Sequence, residues 1–143
     1  MSVLTIGTFD LPHYGHANII KHCYEFSDDV IVGLNTDEFV EQYKGEAPLM
    51  TYDERAKALR AFGEEFYIEP NDGAGRELIL DAQPDIIVVG SDWARKDYLK
   101  QIDMTQDELD ELGIAICYVP YTPGISTTEL KQRAIDRSRD HAE

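Results

Sequence analysis

The amino-acid sequence predicts an α/β fold, a single domain with a parallel sheet and helices on both faces. Residues 30–34 and 86–89 form short, almost continuously apolar runs, which are typical of strands buried on both faces. Stretches with the apolar spacing of helices alternate with these runs, and this alternation favours a parallel sheet with right-handed crossovers. Ligands of such sheets bind beyond the carboxyl ends of the strands, so the loops at those ends are the candidate sites.

Each predicted element has a local signal in the sequence. The first strand is expected at residues 3–6, and the helix after it can bury Ile19, Ile20 and Cys23. Asn35-Thr36-Asp37 offers a cap for a second helix, and Thr51-Tyr-Asp-Glu54 has the spacing of a capping box. The other expected elements are strands at 30–34, 66–68, 86–89 and 114–119, helices at 77–82 and 127–139, and an acidic, solvated helical insert at 104–111.

Composition and charge limit the classes of protein to which the chain can belong. Its 143 residues, 43% hydrophobic and 29% charged, are typical of one globular domain, expected at 1–135 before a charged C-terminal tail at 136–143. The formal net charge of −15 argues against a nucleic-acid or anionic-membrane partner. No apolar run reaches transmembrane length, and Cys23 and Cys117 are expected as free thiols, so a cytoplasmic protein is predicted.

The first candidate site is the turn after the first strand, Thr5-Ile-Gly-Thr-Phe-Asp-Leu-Pro-His-Tyr-Gly-His16. A strand, a glycine-containing loop and a helix start together favour an anion, because the amides there are unpaired and the helix dipole is positive. His13 and His16 flank Gly15, which has no Cβ and lets a ligand approach the backbone. Neutral imidazoles can donate hydrogen bonds to phosphate oxygens. The pattern therefore favours a phosphate site over solvent-exposed loop histidines.

Two later loops have groups that suit a nucleotide. Gly124-Ile-Ser-Thr-Thr128 opens the last helix, where the hydroxyls of Ser126 and Thr127 and the helix amides can form a second anion site, with ordinary N-capping as the alternative. Gly90-Ser-Asp-Trp93 follows the strand at 86–89. Its glycine permits close approach of a ring, and Asp92 can accept a hydrogen bond from a ribose hydroxyl or an exocyclic amine. Trp93 is equally typical of a packing residue.

The segment Gly7-Thr-Phe-Asp-Leu-Pro-His-Tyr-Gly-His16, together with Gly124-Ile-Ser-Thr-Thr128, resembles the cytidylyltransferase-like nucleotidyltransferases. The resemblance covers residues 3–133 and is greatest to glycerol-3-phosphate cytidylyltransferases, with choline- and ethanolamine-phosphate enzymes and heptose-phosphate adenylyltransferases nearby. It implies a Rossmann-like nucleotidyltransferase fold and transfer of a nucleoside monophosphate from CTP to a small phosphomonoester such as glycerol 3-phosphate, with release of pyrophosphate. Magnesium would accompany the triphosphate, no metal site of the protein itself is implied, and a homodimer is expected.

The same resemblance implies roles for individual residues. His13 and His16 would donate to phosphate oxygens, and Lys44 would reach the phosphates at the reacting centre. Arg55 would contact the substrate, with a salt bridge on its own helix as the alternative. Independently of the resemblance, the position of Asp10 in the turn predicts that it either orients the turn or caps a loop. The catalytic candidates are His13, His16 and Lys44; the candidate nucleotide contacts are Thr8, Phe9, Gly15, Gly90, Asp92, Gly124, Ile125, Ser126 and Thr127; the candidate substrate contacts are Asp10, Lys44, Arg55 and Trp93.

Two departures from the resembled pattern leave the nucleotide and the acceptor open. Many cytidylyltransferases have phosphate-binding arginines at the positions of Gly63 and Tyr121, whereas the heptose-phosphate adenylyltransferases lack both. Arg60, Arg95 or Lys96 could compensate for them. The alternatives are an adenylyltransferase that uses ATP with a sugar phosphate or flavin-type acceptor, and a nucleotide-binding module without catalysis.

Overall fold

The computed structural model of the chain describes residues 1–63 and 65–140. At its centre is a five-stranded sheet of β1 (Ser2–Gly7), β2 (Asp29–Asn35), β3 (Tyr67–Asn71), β4 (Ile86–Gly90) and β5 (Ala115–Val119). The strands lie in the order β3-β2-β1-β4-β5, and every neighbouring pair is parallel. The chain builds the sheet outwards from β1 to β3 and then crosses to the other side of β1. This confirms the predicted parallel, Rossmann-like α/β fold and places its topological switch point between β1 and β4.

Helices connect the strands in the described part of the chain. They are α1 (Tyr14–Phe26), α2 (Asp37–Lys44), α3 (Tyr52–Leu59), α4 (Arg76–Ala82), α5 (Tyr98–Ile102), α6 (Gln106–Leu112) and α7 (Thr127–Asp140), with short 3₁₀ helices at Arg60–Phe62 and Ser91–Arg95. The predicted caps of α2 and α3 are confirmed: Thr36 accepts from the Phe39 amide, and Thr51 and Glu54 form a capping box. The expected domain boundary at residue 135 falls inside α7, and residues 141–143 of the expected tail lie outside the described residues.

Adjacent residues of β1 show that both faces of the sheet are covered. Val3 and Leu4 are both fully buried, but they belong to different hydrophobic clusters. Because successive strand residues point to opposite faces, the two clusters lie on the two sides of the sheet. Ile20 of α1 and Leu59 of α3 belong to the cluster of Val3, whereas Ile79 of α4 belongs to that of Leu4. The predicted placement of helices on both faces is therefore confirmed.

The segment at 104–111 is part of the core, so the prediction of a solvated insert was wrong. Leu109 is fully buried, Met104 is nearly so, and both pack in the cluster of Leu4. Arg76 of α4 also pairs with Glu108 of α6, which attaches the segment to its neighbour. The many acidic residues of this segment indicated only that one side of α6 is exposed to solvent, and not that its other side is buried. The preceding helix α5 was not predicted, because five residues are too few for a helical pattern to show.

The cysteines agree with the expectation of free thiols. Cys23 is buried, Cys117 is partly exposed, and both are unpaired. Within residues 1–63 and 65–140, the helices are too short or too polar to cross a membrane.

Candidate active site

A cleft of about 650 Å³ opens at the carboxyl ends of the central strands. Gly7, Asn35, Asn71 and Gly90, which end β1 to β4, all line it. Since β1 is the central strand, the cleft has one half beyond β4 and another beyond β2 and β3. A cleft of this size suits a small-molecule ligand. It brings together all of the predicted site residues except Arg55 and Gly124.

The two histidines of the turn form the N-terminal cap of α1. His13 Nδ1 accepts a hydrogen bond from the Gly15 amide at 3.1 Å, and His16 Nδ1 accepts from the His13 amide at 3.2 Å. This is a capping box in which imidazoles replace the usual hydroxyl and carboxylate. The two rings stack with their centroids 3.8 Å apart. The spacing of the motif therefore follows from helix geometry, because the N-cap and the third helical residue meet at the helix start.

These hydrogen bonds determine which ring nitrogen carries the proton. A nitrogen that accepts from an amide is unprotonated, so in the neutral ring Nε2 is the N–H donor of both histidines. Burial lowers the pKa of His13. Burial, with a smaller contribution from His13, lowers the pKa of His16 to about 3. Both imidazoles are consequently neutral near pH 7, and each offers one N–H to a ligand in the cleft.

The backbone before the histidines has an unusual conformation. Phe9 and Leu11 have φ angles of 52° and 47°, in the left-handed region that residues other than glycine rarely adopt. Phe9 is buried in the core, and its ring also contacts that of His16 edge-on at 5.1 Å. A Cβ on Gly7 would lie 2.9 Å from the Phe9 ring, so glycine is needed there for packing. Phe9 thus serves both as a core residue and as a wall of the cleft.

Asp10 joins the histidine turn to two other elements. Its carboxylate accepts from the amides of Leu49 and Met50 at 2.9 and 3.0 Å, and Lys131 Nζ of α7 lies 3.5 Å away. Burial alone would raise the pKa of Asp10, but the two amides and Lys131 outweigh it and lower the pKa below its ordinary value. Of the two roles expected for Asp10, capping a loop is therefore the one that the geometry favours.

Lys44 is at the last position of α2 and lines the cleft. Gly45 follows it with a φ of 83°, the left-handed conformation that commonly ends a helix. The residue keeps solvent-accessible surface, yet desolvation lowers the pKa of its ammonium group, and repulsion from Lys131 lowers it further. Lys44 is thus a cation at the edge of the cleft that a phosphate can reach.

Ser126 and Thr127 at the start of α7 have different hydrogen-bonding states. Ser126 Oγ accepts from the Glu129 amide at 3.0 Å, so it caps the helix and keeps its own proton for a ligand. Thr127 Oγ1 donates to the Asp10 carbonyl at 2.6 Å, which commits its proton and ties α7 to the histidine turn. Gly124 lies outside the cleft lining and has a φ of 80°, so its role is to turn the chain.

The loop after β4 lies on the other side of β1. Asp92 is exposed in the cleft, and a Cβ on Gly90 would lie 2.6 Å from its Oδ1, so only glycine leaves the carboxylate in this position. Trp93 is half-buried, contacts the Tyr98 ring edge-on at 5.5 Å and lines the cleft. Packing and ligand contact, the two roles considered for Trp93, are thus both compatible with its position.

Arg55 was expected to contact the substrate, but it does not line the cleft and instead supports the backbone around it. Its fully buried guanidinium donates to the carbonyls of Met50, Thr8 and Asn35 at 3.1, 2.7 and 2.8 Å. It also pairs with Asp37 at 2.7 Å. The alternative of a salt bridge holds, but the partner is on α2 and not on the helix of Arg55. Arg55 therefore fixes the backbone from which the histidine turn begins.

Several residues of the cleft were not predicted. Asn71 donates to Asn35 Oδ1 at 2.8 Å, and Asn35 donates to Thr8 Oγ1 at 3.1 Å, so the Thr8 hydroxyl keeps its proton for a ligand. The Tyr98 hydroxyl is buried with no hydrogen-bond partner among the described residues. Only Lys131 had a signal in the sequence: it is four residues after Thr127 and thus on the same face of α7.

The cations suggested as substitutes for the missing arginines lie elsewhere. Arg60 donates to the Phe66 carbonyl, and Lys96 lies 5.1 Å from the centre of the Trp93 ring. Neither they nor Arg95 are among the described residues that line the cleft. The position of one missing arginine also has a local explanation, because Gly63 has a φ of 150° that strains any side chain.

The carboxylates of the cleft determine how a magnesium ion would fit. Asp10 already accepts from two amides, which leaves Asp92 and Glu46 as the other carboxylates that line the cleft. No cluster of three or more candidate metal ligands occurs in the described ranges 1–63 and 65–140. Magnesium usually binds through one or two carboxylates and the phosphates of the substrate. The residues present fit an ion that is held mainly by a triphosphate.

Comparison with known proteins agrees with this geometry. The sequence profile of the family described as cytidylyltransferase-like matches residues 4–133, nearly the whole chain. The chain belongs to the cytidylyltransferase-like family. It is 33% identical over 132 residues to glycerol-3-phosphate cytidylyltransferase of Bacillus subtilis, covering 91% of this chain and 94% of the relative. The Staphylococcus aureus protein of the same name is also 33% identical, with coverages of 91% and 92%.

Other relatives of this cytidylyltransferase-like chain have different names. The bifunctional protein HldE of Koribacter versatilis is 31% identical over 92% of this chain, which spans only 26% of that longer protein. Among solved structures, a protein of unknown function from Archaeoglobus fulgidus has a TM-score of 0.69 at 20% identity, covering 88% and 94% of the two chains. A lipopolysaccharide core biosynthesis protein from Thermoplasma volcanium has a TM-score of 0.64 at 22% identity, covering 85% and 96%. These structures support the fold alone.

Proposed function

We propose that this member of the cytidylyltransferase-like family transfers CMP from CTP to glycerol 3-phosphate and releases pyrophosphate. An oxygen of the acceptor phosphate attacks the α-phosphorus, a new P–O bond forms, and the bond from the α-phosphorus to the bridging oxygen breaks. The electron pair of that bond leaves with pyrophosphate. The acceptor is already an anion near neutral pH, so the reaction needs neither a nucleophilic residue nor a general base. The protein acts by positioning and by stabilising charge.

The observation that supports this proposal most strongly is the pair of neutral histidines. Both Nδ1 atoms accept from backbone amides, so both Nε2 atoms are N–H donors before any ligand arrives. Donors set in place in advance stabilise charge that builds on phosphate oxygens without having to reorganise. The N-terminus of α1 adds its dipole at the same point. A module that only bound nucleotide would not need two imidazoles in one tautomer.

The other groups are assigned to the phosphates by their positions. The Ser126 hydroxyl and the amides at the start of α7 would hold the β- and γ-phosphates. Lys44 would contact the acceptor phosphate and the α-phosphate. Magnesium bound with the triphosphate would neutralise part of its charge. The Thr8 hydroxyl, which Asn35 holds with its proton free, would donate to a phosphate oxygen beside the histidines.

The base and the nucleoside would lie beyond β4. Gly90 and Asp92 are on this side of the cleft, where Asp92 can accept a hydrogen bond from a ribose hydroxyl or an exocyclic amine. The acceptor would then lie in the other half, beyond β2 and β3. There Asn35 and Asn71 end the two strands, and Lys44 ends α2.

Transfer of AMP from ATP to a sugar phosphate or a flavin-type acceptor is the second candidate. Tyr121 and Gly63 favour it, since these positions lack the arginines of many cytidylyltransferases. The two glycerol-3-phosphate cytidylyltransferases, which align over nearly their full length, favour CTP. The base therefore has to be tested directly.

The test is release of pyrophosphate with magnesium present, with CTP and ATP assayed separately against glycerol 3-phosphate and a panel of phosphorylated sugars. The proposal predicts turnover with CTP and glycerol 3-phosphate. Turnover only with ATP would replace it by the second candidate. Nucleotide binding without pyrophosphate release for any pair would contradict both and favour a binding module.

The cellular setting and the assembly belong to the same proposal. Free thiols at Cys23 and Cys117 suit the reducing cytoplasm, where CTP and phosphorylated metabolites are available. A homodimer stays a prediction, which light scattering coupled to size-exclusion chromatography would test.

A further inference from the structure

We propose that Lys131 and Lys44 together form the subsite for the phosphate group of the acceptor. This rests on the proposed function, because it assigns one end of the same cleft to the second substrate. Lys131 is on α7, more than eighty residues along the chain from Lys44, and the fold brings both side chains to the cleft. Among the described residues, Lys44 and Lys131 are the only lysines or arginines that line the cleft.

The contacts of Asp10 place Lys131 beside the histidine turn. Lys131 Nζ lies 3.5 Å from Asp10 Oδ2, and the same carboxylate accepts from the Leu49 and Met50 amides. Thr127, one helical turn before Lys131, donates to the Asp10 carbonyl at 2.6 Å. Two contacts with Asp10 from one face of α7 thus place the Lys131 ammonium group beside the histidine turn.

The two lysines are close enough to repel one another. After desolvation, Lys131 is the largest influence that lowers the pKa of Lys44. The Asp10 and Glu46 carboxylates also act on Lys44, but the oxygens of Asp10, the carboxylate that Lys131 contacts, are already shared with two amides. Two ammonium groups held together in this way favour an anion that contacts both, and a phosphate dianion has oxygens for each.

The position of the pair favours the acceptor over the triphosphate. Ser126 and the first amides of α7 are at the start of the helix, whereas Lys131 is one turn further along and lies beside Asp10, whose carboxylate also binds the amides of Leu49 and Met50. Lys44 and Asn35 are on the β2 side of the cleft, away from Asp92. The two lysines also provide positive charge in a chain that has Gly63 and Tyr121 at the positions where many cytidylyltransferases have arginines. A net charge of −15 makes such a focused cation necessary for binding a dianion.

The test compares Lys131→Met and Lys131→Arg with Arg137→Met in steady-state kinetics. Arg137 is an exposed residue of the same helix that does not line the cleft, so its variant controls for loss of one positive charge on α7. We expect Lys131→Met to raise KM for glycerol 3-phosphate by about tenfold or more, the effect of losing one hydrogen bond to a charged group. KM for CTP should change by less than about threefold. Lys131→Arg should restore most of the acceptor affinity.

The same experiment separates a purely structural role for Lys131. If Lys131 only held Asp10 and the histidine turn, Lys131→Met would impair CTP and the acceptor alike, and that result would overturn the subsite. An unchanged KM for the acceptor would overturn it as well. Thermal unfolding of each variant shows whether the fold is retained.

A binding measurement keeps the subsite testable if the proposed reaction fails. Calorimetric titration with inorganic phosphate needs no turnover and no nucleotide. Binding by the wild-type chain and by Arg137→Met, but not by Lys131→Met, would support the subsite even without pyrophosphate release. Equal binding by all three, or none by the wild-type chain, would contradict it.

Discussion

The amide of His13 donates to Nδ1 of His16, and Nδ1 of His13 accepts from the Gly15 amide. The two Nδ1 atoms therefore cap α1, and because both are acceptors they also fix the tautomer of each ring. One pair of hydrogen bonds therefore links stability to chemistry. It satisfies amides at the start of α1 and leaves both Nε2–H groups for a ligand. Loss of either ring affects both properties, and a test of the site has to separate them.

The His13→Asn variant separates capping from catalysis. Asparagine is a good N-cap, so Nδ1 of histidine can be replaced as an acceptor while the N–H at Nε2 is lost. We expect turnover to fall by about a hundredfold or more, as on loss of one preorganised donor. The free energy of unfolding should change little, whereas His13→Ala should lose turnover and a further ~1 kcal/mol of stability. Pyrophosphate release and urea unfolding measure the two effects, and near-normal turnover of His13→Asn would contradict the role of His13.

The stability of the protein should fall in mild acid because of His16. Its pKa in the folded state is about 3, against an ordinary value of 6.5, so between these values the unfolded chain binds a proton that the folded chain does not. Stability contributed by the neutral ring is therefore complete above pH 6.5 and is lost progressively as the pH falls towards 3. His13 adds an effect of the same sign.

The His16→Gln variant tests this pH dependence. Glutamine at the third helical position can still accept from the cap amide, but it does not titrate. From pH 7 to about 5, above the range in which most carboxylates titrate, the variant should lose less stability than the wild-type chain. Melting temperatures across this range provide the measurement. Parallel curves for the two proteins would show that His16 is not the group responsible.

Arg55→Met should destabilise the fold even though Arg55 lies outside the cleft lining. The substitution leaves the carbonyls of Thr8 and Asn35 and the carboxylate of Asp37 without their donor. We expect a loss of about 3 kcal/mol in urea unfolding, because each buried acceptor left without its donor costs about 1–3 kcal/mol. Arg60→Met, which removes an arginine that is less buried, should cost less. Equal losses would contradict the special position of Arg55.

Gly90→Ala tests the contact made by Asp92. Gly90 has a φ of −64°, which alanine adopts freely, but its Cβ would lie 2.6 Å from Asp92 Oδ1. The carboxylate has to move, so we expect KM for the nucleotide to rise by about tenfold while stability changes by less than ~1 kcal/mol. Gly73→Ala is a matched control, since nothing lies within 4 Å of its Cβ position. An unchanged KM in Gly90→Ala would exclude a contact between Asp92 and the nucleotide.

Ser126→Ala and Thr127→Val should have different effects. The Ser126 hydroxyl keeps a proton for a phosphate, whereas that of Thr127 donates to the Asp10 carbonyl. We expect Ser126→Ala to raise KM for the nucleotide, and Thr127→Val mainly to lower the melting temperature by detaching α7 from the histidine turn. The reverse pattern would assign the phosphate contact to Thr127.

Most of the cleft could be predicted because its residues lie in short segments that follow strands. His13, Asp92 and Ser126 all belong to such segments, and parallel strands bring their carboxyl ends to one edge of the sheet. Lys131 was missed because it lies inside α7, where its spacing from Thr127 indicates a shared helix face but not what that face contacts across the fold. Asn71 was missed because the hydrogen bond that it donates to Asn35 joins residues that are far apart in the chain.

The sequence by itself determined the alternation of strands and helices, the caps of α2 and α3, and the family, because each depends on residues close together in the chain. Only the tertiary structure decided what those residues contact. It turned Arg55 inwards as a support for the histidine turn, placed Leu109 of an acidic segment in the core, and set Lys131 beside Asp10. These outcomes depend on contacts between distant segments, whose geometry exists only once the sheet has been formed.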